Sequence, residues 1–191
     1  MNEQQIAERT AQFKFFAGLI ENVNGTIVEC GIGAGNTLRL ICQLFSTRKI
    51  FAIDSFKGFP EGQSIDGRGR SKHPPGKIPS SYYTETDVTK LFNINNIDGV
   101  IIPGFFSDTL PTQYPGNPIA LLHLDCDLYK SYISALSLYQ YVTNGGIVAF
   151  DEYLDKKYIG ATKAIKQFLK RERKKIQCFE LETFKKFYII K

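Results

Sequence analysis

The stretch LLHLDCDLYKSYISALSLYQYVTNGGIVAFDEY, residues Leu121–Tyr153, holds two short apolar runs that each end in acids. The first, IALLHL from Ile119, stops at Asp125 and Asp127; the second, IVAF from Ile147, stops at Asp151 and Glu152. Short, nearly continuous apolar runs bounded by turn signals suit strands buried on both faces. Between them Ser131–Val142 reads as a helix, and Asn144-Gly145-Gly146 as the turn into the second strand. Strand, helix, strand makes a parallel unit, so both sets of acids arrive at the same edge of a sheet. In open α/β sheets that carboxyl edge is where ligands bind.

The alternation continues on either side. Residues 3–22 read as an amphipathic helix with Ile6, Phe13, Phe16, Ala17 and Ile20 near one face. Thr26–Cys30, Lys49–Ile53 and Val100–Ile102 read as strands, Thr37–Phe45 and Tyr82–Phe92 as helices, and Phe105–Pro111 as a loop or a short turn of helix. Thr162–Lys174 is a basic helix. The last two strands, Gln177–Glu182 and Lys186–Ile190, have only Thr183-Phe184-Lys185 between them, which permits only an antiparallel pair. The expected fold is α/β and doubly wound: a mostly parallel seven-stranded sheet with a terminal antiparallel hairpin, one domain over residues 1–191. Ser55–Ser81, rich in Gly, Pro and Ser, is too long for an ordinary connection and reads as a lid, a binding loop or a disordered segment.

Composition narrows the classes. At 191 residues and 43% apolar content the chain suits one globular domain with a substantial core. No apolar run approaches the roughly 20 residues that span a bilayer, and the start, MNEQQIAERT, is too polar for a secretory signal. Cys30, Cys42, Cys126 and Cys178 lack metal-like spacing and read as reduced thiols of a cytoplasmic protein. Part of the net charge of +5 lies in KQFLKRERKK, Lys166–Lys175, which reads as a solvated helix face because no nucleic-acid motif accompanies it. Neither nucleic acid nor membrane is therefore expected as a partner. The N-terminal helix is a candidate homodimer surface as readily as a piece of core packing.

Two groups of residues carry chemistry. VECGIGAGN is strand, acid, glycine-rich turn, helix. Glycines let a ligand approach the backbone, and a helix N-terminus favours negative charge. Asp54, ending the next strand, suits ribose hydroxyls. Glu29 can pair with an amino-acid ammonium but would repel a pyrophosphate, and the spacing is G-x-G-x-G rather than G-x-G-x-x-G. Both details favour S-adenosylmethionine over a nicotinamide dinucleotide. A nicotinamide-dependent oxidoreductase and a catalytically inactive binding protein of the same fold are the rival readings. The second group, Asp125, Asp151 and Glu152, offers only oxygen and suits a hard cation such as Mg²⁺. Without one, three converging carboxylates repel. Asp127 suits a helix cap.

VECGIGAGNT, FAIDSFKGFPEG, PGFFSDTLP, LLHLDCDLYKSY and NGGIVAFDEY, in that order between about Val28 and Lys170, together resemble the macrocin O-methyltransferase family. The resemblance implies a class I methyltransferase fold, Rossmann-like. It implies Mg²⁺-dependent transfer of a methyl group from S-adenosylmethionine to a hydroxyl of a sugar or sugar-containing small molecule. By position it implies that Glu29, Gly31, Gly33, Asn36, Thr37, Asp54, Ser55 and Asp108 hold the methyl donor. It implies that Asp125, Asp151 and Glu152 hold the metal, where relatives often carry a second aspartate in place of Glu152. His73, in the KHPP of the loop after the second strand, is the implied base beside Asp125. Leu128 stands where catechol-type relatives carry a lysine, which sets this chain apart from their chemistry. The loop's basic group, Arg68, Arg70, Lys72, His73 and Lys77, reads as a patch for an anionic acceptor or simply as a solvated loop.

Overall fold

The structure is a computed structural model that describes residues 2–61, 64–67 and 75–191. Its strands are β1 (Thr26–Cys30), β2 (Ile50–Asp54), β3 (Gly99–Pro103), β4 (Ile119–Leu124), β5 (Val142–Phe150), β6 (Gln177–Glu180) and β7 (Lys185–Ile190). Its α-helices are α1 (Glu3–Leu19), α2 (Asn36–Leu44), α3 (Glu85–Ile94), α4 (Phe106–Gln113), α5 (Tyr129–Ala135) and α6 (Ile159–Glu172). The strands form one seven-stranded sheet in the order β3-β2-β1-β4-β5-β7-β6. The first five are parallel, and β7 runs antiparallel to both of its neighbours. This is the doubly wound α/β architecture with a terminal hairpin that the alternation of elements predicts.

Helices cover both faces because the central strands are apolar on both. Ile27, Ile50, Leu121 and Ile147 meet Phe13, Phe16 and Ile20 of α1, Leu38 and Ile41 of α2, and Val88 and Phe92 of α3. The alternate residues Val28, Phe51, Leu122 and Val148 meet Leu110 of α4, Tyr132 of α5 and Phe168 of α6. Successive strand side chains point to opposite faces, so an unbroken apolar run feeds two cores. Capping boxes start α1, where Asn2 and Gln5 bond reciprocally, and α3, where Thr84 and Asp87 do the same. Among the described residues no helix is long and apolar enough to cross a membrane.

Three elements differ from the expectation. Residues 106–113 make a full helix despite Pro111. The segment expected as one helix over 131–142 starts at Tyr129 and tightens into a 3₁₀ helix over Leu136–Tyr141. Asn144-Gly145-Gly146 then lies inside β5 as an irregularity, not before it as a turn: the register with β4 jumps between Ile119↔Val142 and Leu121↔Ile147. Gly146 permits this, since a Cβ there would stand 2.8 Å from the Thr143 carbonyl oxygen and 3.0 Å from that of Ile119. On α1 the inner face holds Arg9 and Gln12 beside Phe13, Phe16 and Ile20, while Ile6, expected inside, is exposed. A charged residue on an inner helix face needs a partner, and Arg9 has one in the site.

Candidate functional site

The strand order reverses between β1 and β4, and at that switch point the two connections leave in opposite directions and open a crevice. The crevice is a cavity of about 530 Å³, within the usual range for small-molecule sites, roughly 300–1,000 Å³. Gly31, Gly33, Asn36, Thr37, Asp54 and Ser55 line one side, and Asp125, Asp127 and Leu128 another. Phe56, Phe59, Tyr82, Tyr83, Phe105 and Phe106 add aromatic walls.

The glycines of the turn do different work. Gly31 lies where the ends of β1 and β4 cross: a Cβ there would stand 1.9 Å from the Asp125 carbonyl oxygen. Gly35 makes room for Tyr83, whose ring would be 2.4 Å from its Cβ. Only Gly33 faces open space, with nothing nearer than the Tyr82 ring at 3.8 Å. Asp54 braces this turn. Its carboxylate accepts hydrogen bonds from the backbone N–H of Ile32 (2.7 Å), Gly33 (3.4 Å) and Phe56 (2.9 Å). The Ser55 hydroxyl donates to the Gly58 carbonyl at 2.6 Å, fixing the exit from β2.

Two of the expected donor residues lie off the cavity wall. Asp108 is exposed on the first turn of α4 and accepts from the Ser107 hydroxyl at 2.8 Å; Ser107, not Asp108, lines the cavity. Glu29 is 1% exposed beneath the glycine turn, opposite His123 of β4. Burial, with the charge of Asp125, pushes the Glu29 carboxyl well up, and burial pushes His123 down to about 3. His123 Nδ1 stands 3.4 Å from Glu29 Oε1, yet neither ring nitrogen has a hydrogen-bond partner, and burial disfavours the charged form of both groups. His73, Arg68, Arg70 and Lys72 lie outside the described residues. Asp66 ties its part of the loop after β2 to α5: its carboxylate accepts the Tyr129 N–H at 2.6 Å, at the start of that helix.

Asp125, Asp151 and Glu152 converge as the strand pattern predicts, offering one oxygen each with all three within 4.8 Å of one another. The pairing Leu124↔Phe150 sets the register, and the Asp151 N–H donating to the Leu124 carbonyl at 3.0 Å holds the ends together. Three acids so close cannot all be charged without compensation. Burial raises Asp151, but the Arg9 guanidinium and the Lys186 ammonium outweigh it and hold this carboxyl far below the usual range. Burial and the charge of Asp151 push Asp125 up to about 6. Burial and Asp125 push Glu152 well up, and these two carboxyls share a hydrogen bond. The Tyr132 hydroxyl has one proton to donate and two acceptors within reach, Glu152 Oε2 and the Leu124 carbonyl at 2.8 Å. Tyr132→Phe is therefore expected to cost about 1–3 kcal/mol, the desolvation penalty of one buried polar oxygen left without its donor, with the loss read as a shift in the urea midpoint at unchanged slope.

Arg9, Lys186, Tyr132 and His123 were not among the expected site residues. Arg9 left a trace in the sequence, because it falls four residues before Phe13 on the inner face of α1. Lys186 left none, since its place depends on β7 inserting beside β5.

Known proteins resemble this chain in sequence and in fold. Residues 9–187 match the model of the macrocin-O-methyltransferase (TylF) family. The chain is 33% identical over 146 residues to the demethyldecarbamoylnovobiocin O-methyltransferase of Streptomyces niveus, covering 70% of this chain and 54% of that protein. It is 28% identical over 145 residues to a tetracenomycin-C 4'-O-methyltransferase of Streptomyces olivaceus that acts on a 2,3-dimethoxy-rhamnosyl compound, covering 71% and 55%. The chain thus spans about half the length of the curated relatives it matches. Among solved structures, the calicheamicin methyltransferase CalS11 superposes with a TM-score of 0.78 at 22% identity, over 100% of this chain and 80% of that one. The O-methyltransferase NovP superposes with a TM-score of 0.74 at 23% identity, over 94% and 79%. A family match over residues 9–187, nearly the whole chain, settles kinship: the chain belongs to the macrocin-O-methyltransferase family.

Proposed function

We propose that this chain moves a methyl group from S-adenosylmethionine to a hydroxyl of a sugar or sugar-containing small molecule. The observation that carries the reading is one cavity that brings the glycine turn and Asp54 together with Asp125. A donor held at one wall thus faces an acceptor held at the other. The name of the Streptomyces olivaceus relative, an O-methyltransferase of a rhamnosyl compound, supports a sugar-bearing acceptor.

The residues present fit both groups. Gly33 leaves its backbone open, α2 presents its N-terminus at Asn36 and Thr37, and Asp54 stands within reach of the same space. Asp125, Asp151 and Glu152 form an all-oxygen set of the right compactness for a hard divalent ion. When bound, Mg²⁺ supplies Lewis acidity toward a hydroxyl, and the donor supplies the methyl group. The chain's own residues do the rest. Gly33 and Asp54 orient the donor. Leu128 and the aromatic walls exclude water. Asp66, on the cavity wall, ties its segment to the start of α5. His73, which the loop after β2 carries, is the base in this reading, its ordinary pKa near 6.5 suiting proton transfer at neutral pH.

Calorimetry is the direct test. S-adenosylmethionine is expected to bind with one-to-one stoichiometry, and Asp54→Ala to weaken it at least tenfold, because the variant frees the Ile32 and Gly33 amides and loosens the turn. Absence of heat with S-adenosylmethionine, or saturable binding of NAD(H) in its place, overturns the proposal in favour of the oxidoreductase or the inactive-scaffold reading.

A further inference from the structure

Asp151 is the most heavily engaged of the three carboxylates. The Arg9 guanidinium of α1 pairs with its Oδ1, and Lys186 Nζ of β7 stands 2.8 Å from the same oxygen. The same ammonium donates to the Asp151 carbonyl at 2.8 Å. Neither cation is a loose surface charge: their side chains are 11% and 17% exposed. Both also lie against the Phe184 ring, at 5.8 Å and 6.0 Å from its centroid. Arg9 Nε is buried without a hydrogen-bond partner, and Arg9 lines the cavity itself. Asp125 and Glu152, by contrast, bond to each other, and the two cations act on Asp125 only through space, without the direct ion pairs that Asp151 makes. Two fixed positive charges thus stand on one of the three acids that the proposed reading reserves for a divalent ion.

We propose that Arg9 and Lys186 are a built-in counter-charge that competes with the divalent cation for Asp151, so that ion binding and the seating of α1 through Arg9 oppose one another. The inference rests on the metal reading above. Its physics is simple. A divalent ion held by Asp151 would come within a few ångströms of both cations, in a partly buried setting where charges are weakly screened. The ion therefore binds less tightly than three carboxylates alone would allow, and some of the ion's affinity is spent in loosening the Arg9 contact. Arg9 is the only one of the pair that α1 supplies, so the loosening is transmitted to that helix. The arrangement also gives the site a stable state without the ion, since the trio's charge is largely compensated by the chain itself.

The test needs no substrate. Mn²⁺ is titrated into the metal-stripped full chain and the free ion is read by electron paramagnetic resonance. Arg9→Met is expected to bind Mn²⁺ at least tenfold more tightly than the wild type, and Lys186→Met to shift in the same direction by a smaller factor. In the wild type, saturating Mn²⁺ is expected to speed amide hydrogen exchange across residues 3–19. Equal or weaker Mn²⁺ binding by Arg9→Met overturns the competition and makes Arg9 a prop that positions Asp151 for the ion. Unchanged or slowed exchange in α1 overturns the coupling to the helix. Should Arg9→Met fail to fold, Lys186→Met decides by the same comparison. Failure of wild type and variants alike to bind Mn²⁺ overturns the metal reading itself, an outcome distinct from unaltered affinity.

Discussion

Asp125→Asn is expected to reduce methyl transfer at least about a hundredfold while leaving the metal-stripped protein as stable as the wild type, or more stable, at pH 7.5. The activity loss follows from its place. Asp125 alone among the acids lies on the cavity wall and in the carboxylate trio at once. Removing its charge weakens the proposed seat for a Lewis acid, whose stabilisation of a transition state is worth several kcal/mol, and each 1.36 kcal/mol is tenfold in rate. The stability gain follows from its pKa, pushed up to about 6 by burial and the charge of Asp151. The sign is fixed by linkage. A carboxyl held above its ordinary 3.8 binds its proton more tightly in the native state, so the stability it contributes is present below about pH 4 and lost as pH rises through 6. At pH 7.5 the wild type carries the full cost of a charged Asp125 and the asparagine variant carries none. Thermal denaturation with metal removed should therefore show the variant's advantage growing between pH 4 and 6.5 and constant above. A variant that loses stability relative to the wild type over that interval would contradict the electrostatic assignment. Retained activity would contradict the catalytic one.

Gly31→Ala is the second large effect, and it acts on folding rather than chemistry. The new Cβ would stand 1.9 Å from the Asp125 carbonyl oxygen, at a residue with φ of +93°. Neither chain can yield easily. Asp125 N–H donates to the Cys30 carbonyl at 2.9 Å, and Gly31 N–H donates to the Ile53 carbonyl at 2.8 Å. Those bonds join β4 to β1 and β1 to β2 at the centre of the sheet. Separating the backbones would break them, so a loss of about 4 kcal/mol or more is expected, the range reserved for a few severe mechanisms. Gly33→Ala supplies the control. It meets only a φ of +50°, with the Tyr82 ring 3.8 Å away, and should cost about 1–2 kcal/mol, the usual penalty for a left-handed L-residue, while weakening the donor. Urea titration of the two variants separates them. A Gly31→Ala protein within about 1.5 kcal/mol of the wild type would mean that the crossing has more freedom than these contacts allow.

The contrast between those glycines shows where the sequence is transparent and where it is not. G-x-G-x-G announces a turn with close approaches, because only glycine tolerates the dihedrals. It does not say what approaches. Here Gly31 meets a backbone, Gly35 meets Tyr83, and Gly33 alone leaves room for a ligand. Glu29 illustrates the same limit: its distance from the glycines matches a donor-binding acid, yet its side chain lies 1% exposed against His123, off the cavity wall.

The chain alone was enough for whatever depends on neighbours in sequence. Apolar runs, turn residues and the short link before β7 gave the strands, the two-faced sheet and the hairpin, because period and loop length act locally. The acids at the ends of β4 and β5 were legible for the same reason, since parallel neighbours bring equivalent ends together. Tertiary structure alone decided what surrounds them. Arg9 reaches Asp151 across 142 residues and Lys186 across 35. Those meetings require α1 to lie across the sheet and β7 to enter between β5 and β6. Such contacts follow from how the elements pack, and no local pattern records the packing. They are also what splits three similar carboxyls into one held charged by two cations and two that burial pushes toward their neutral form.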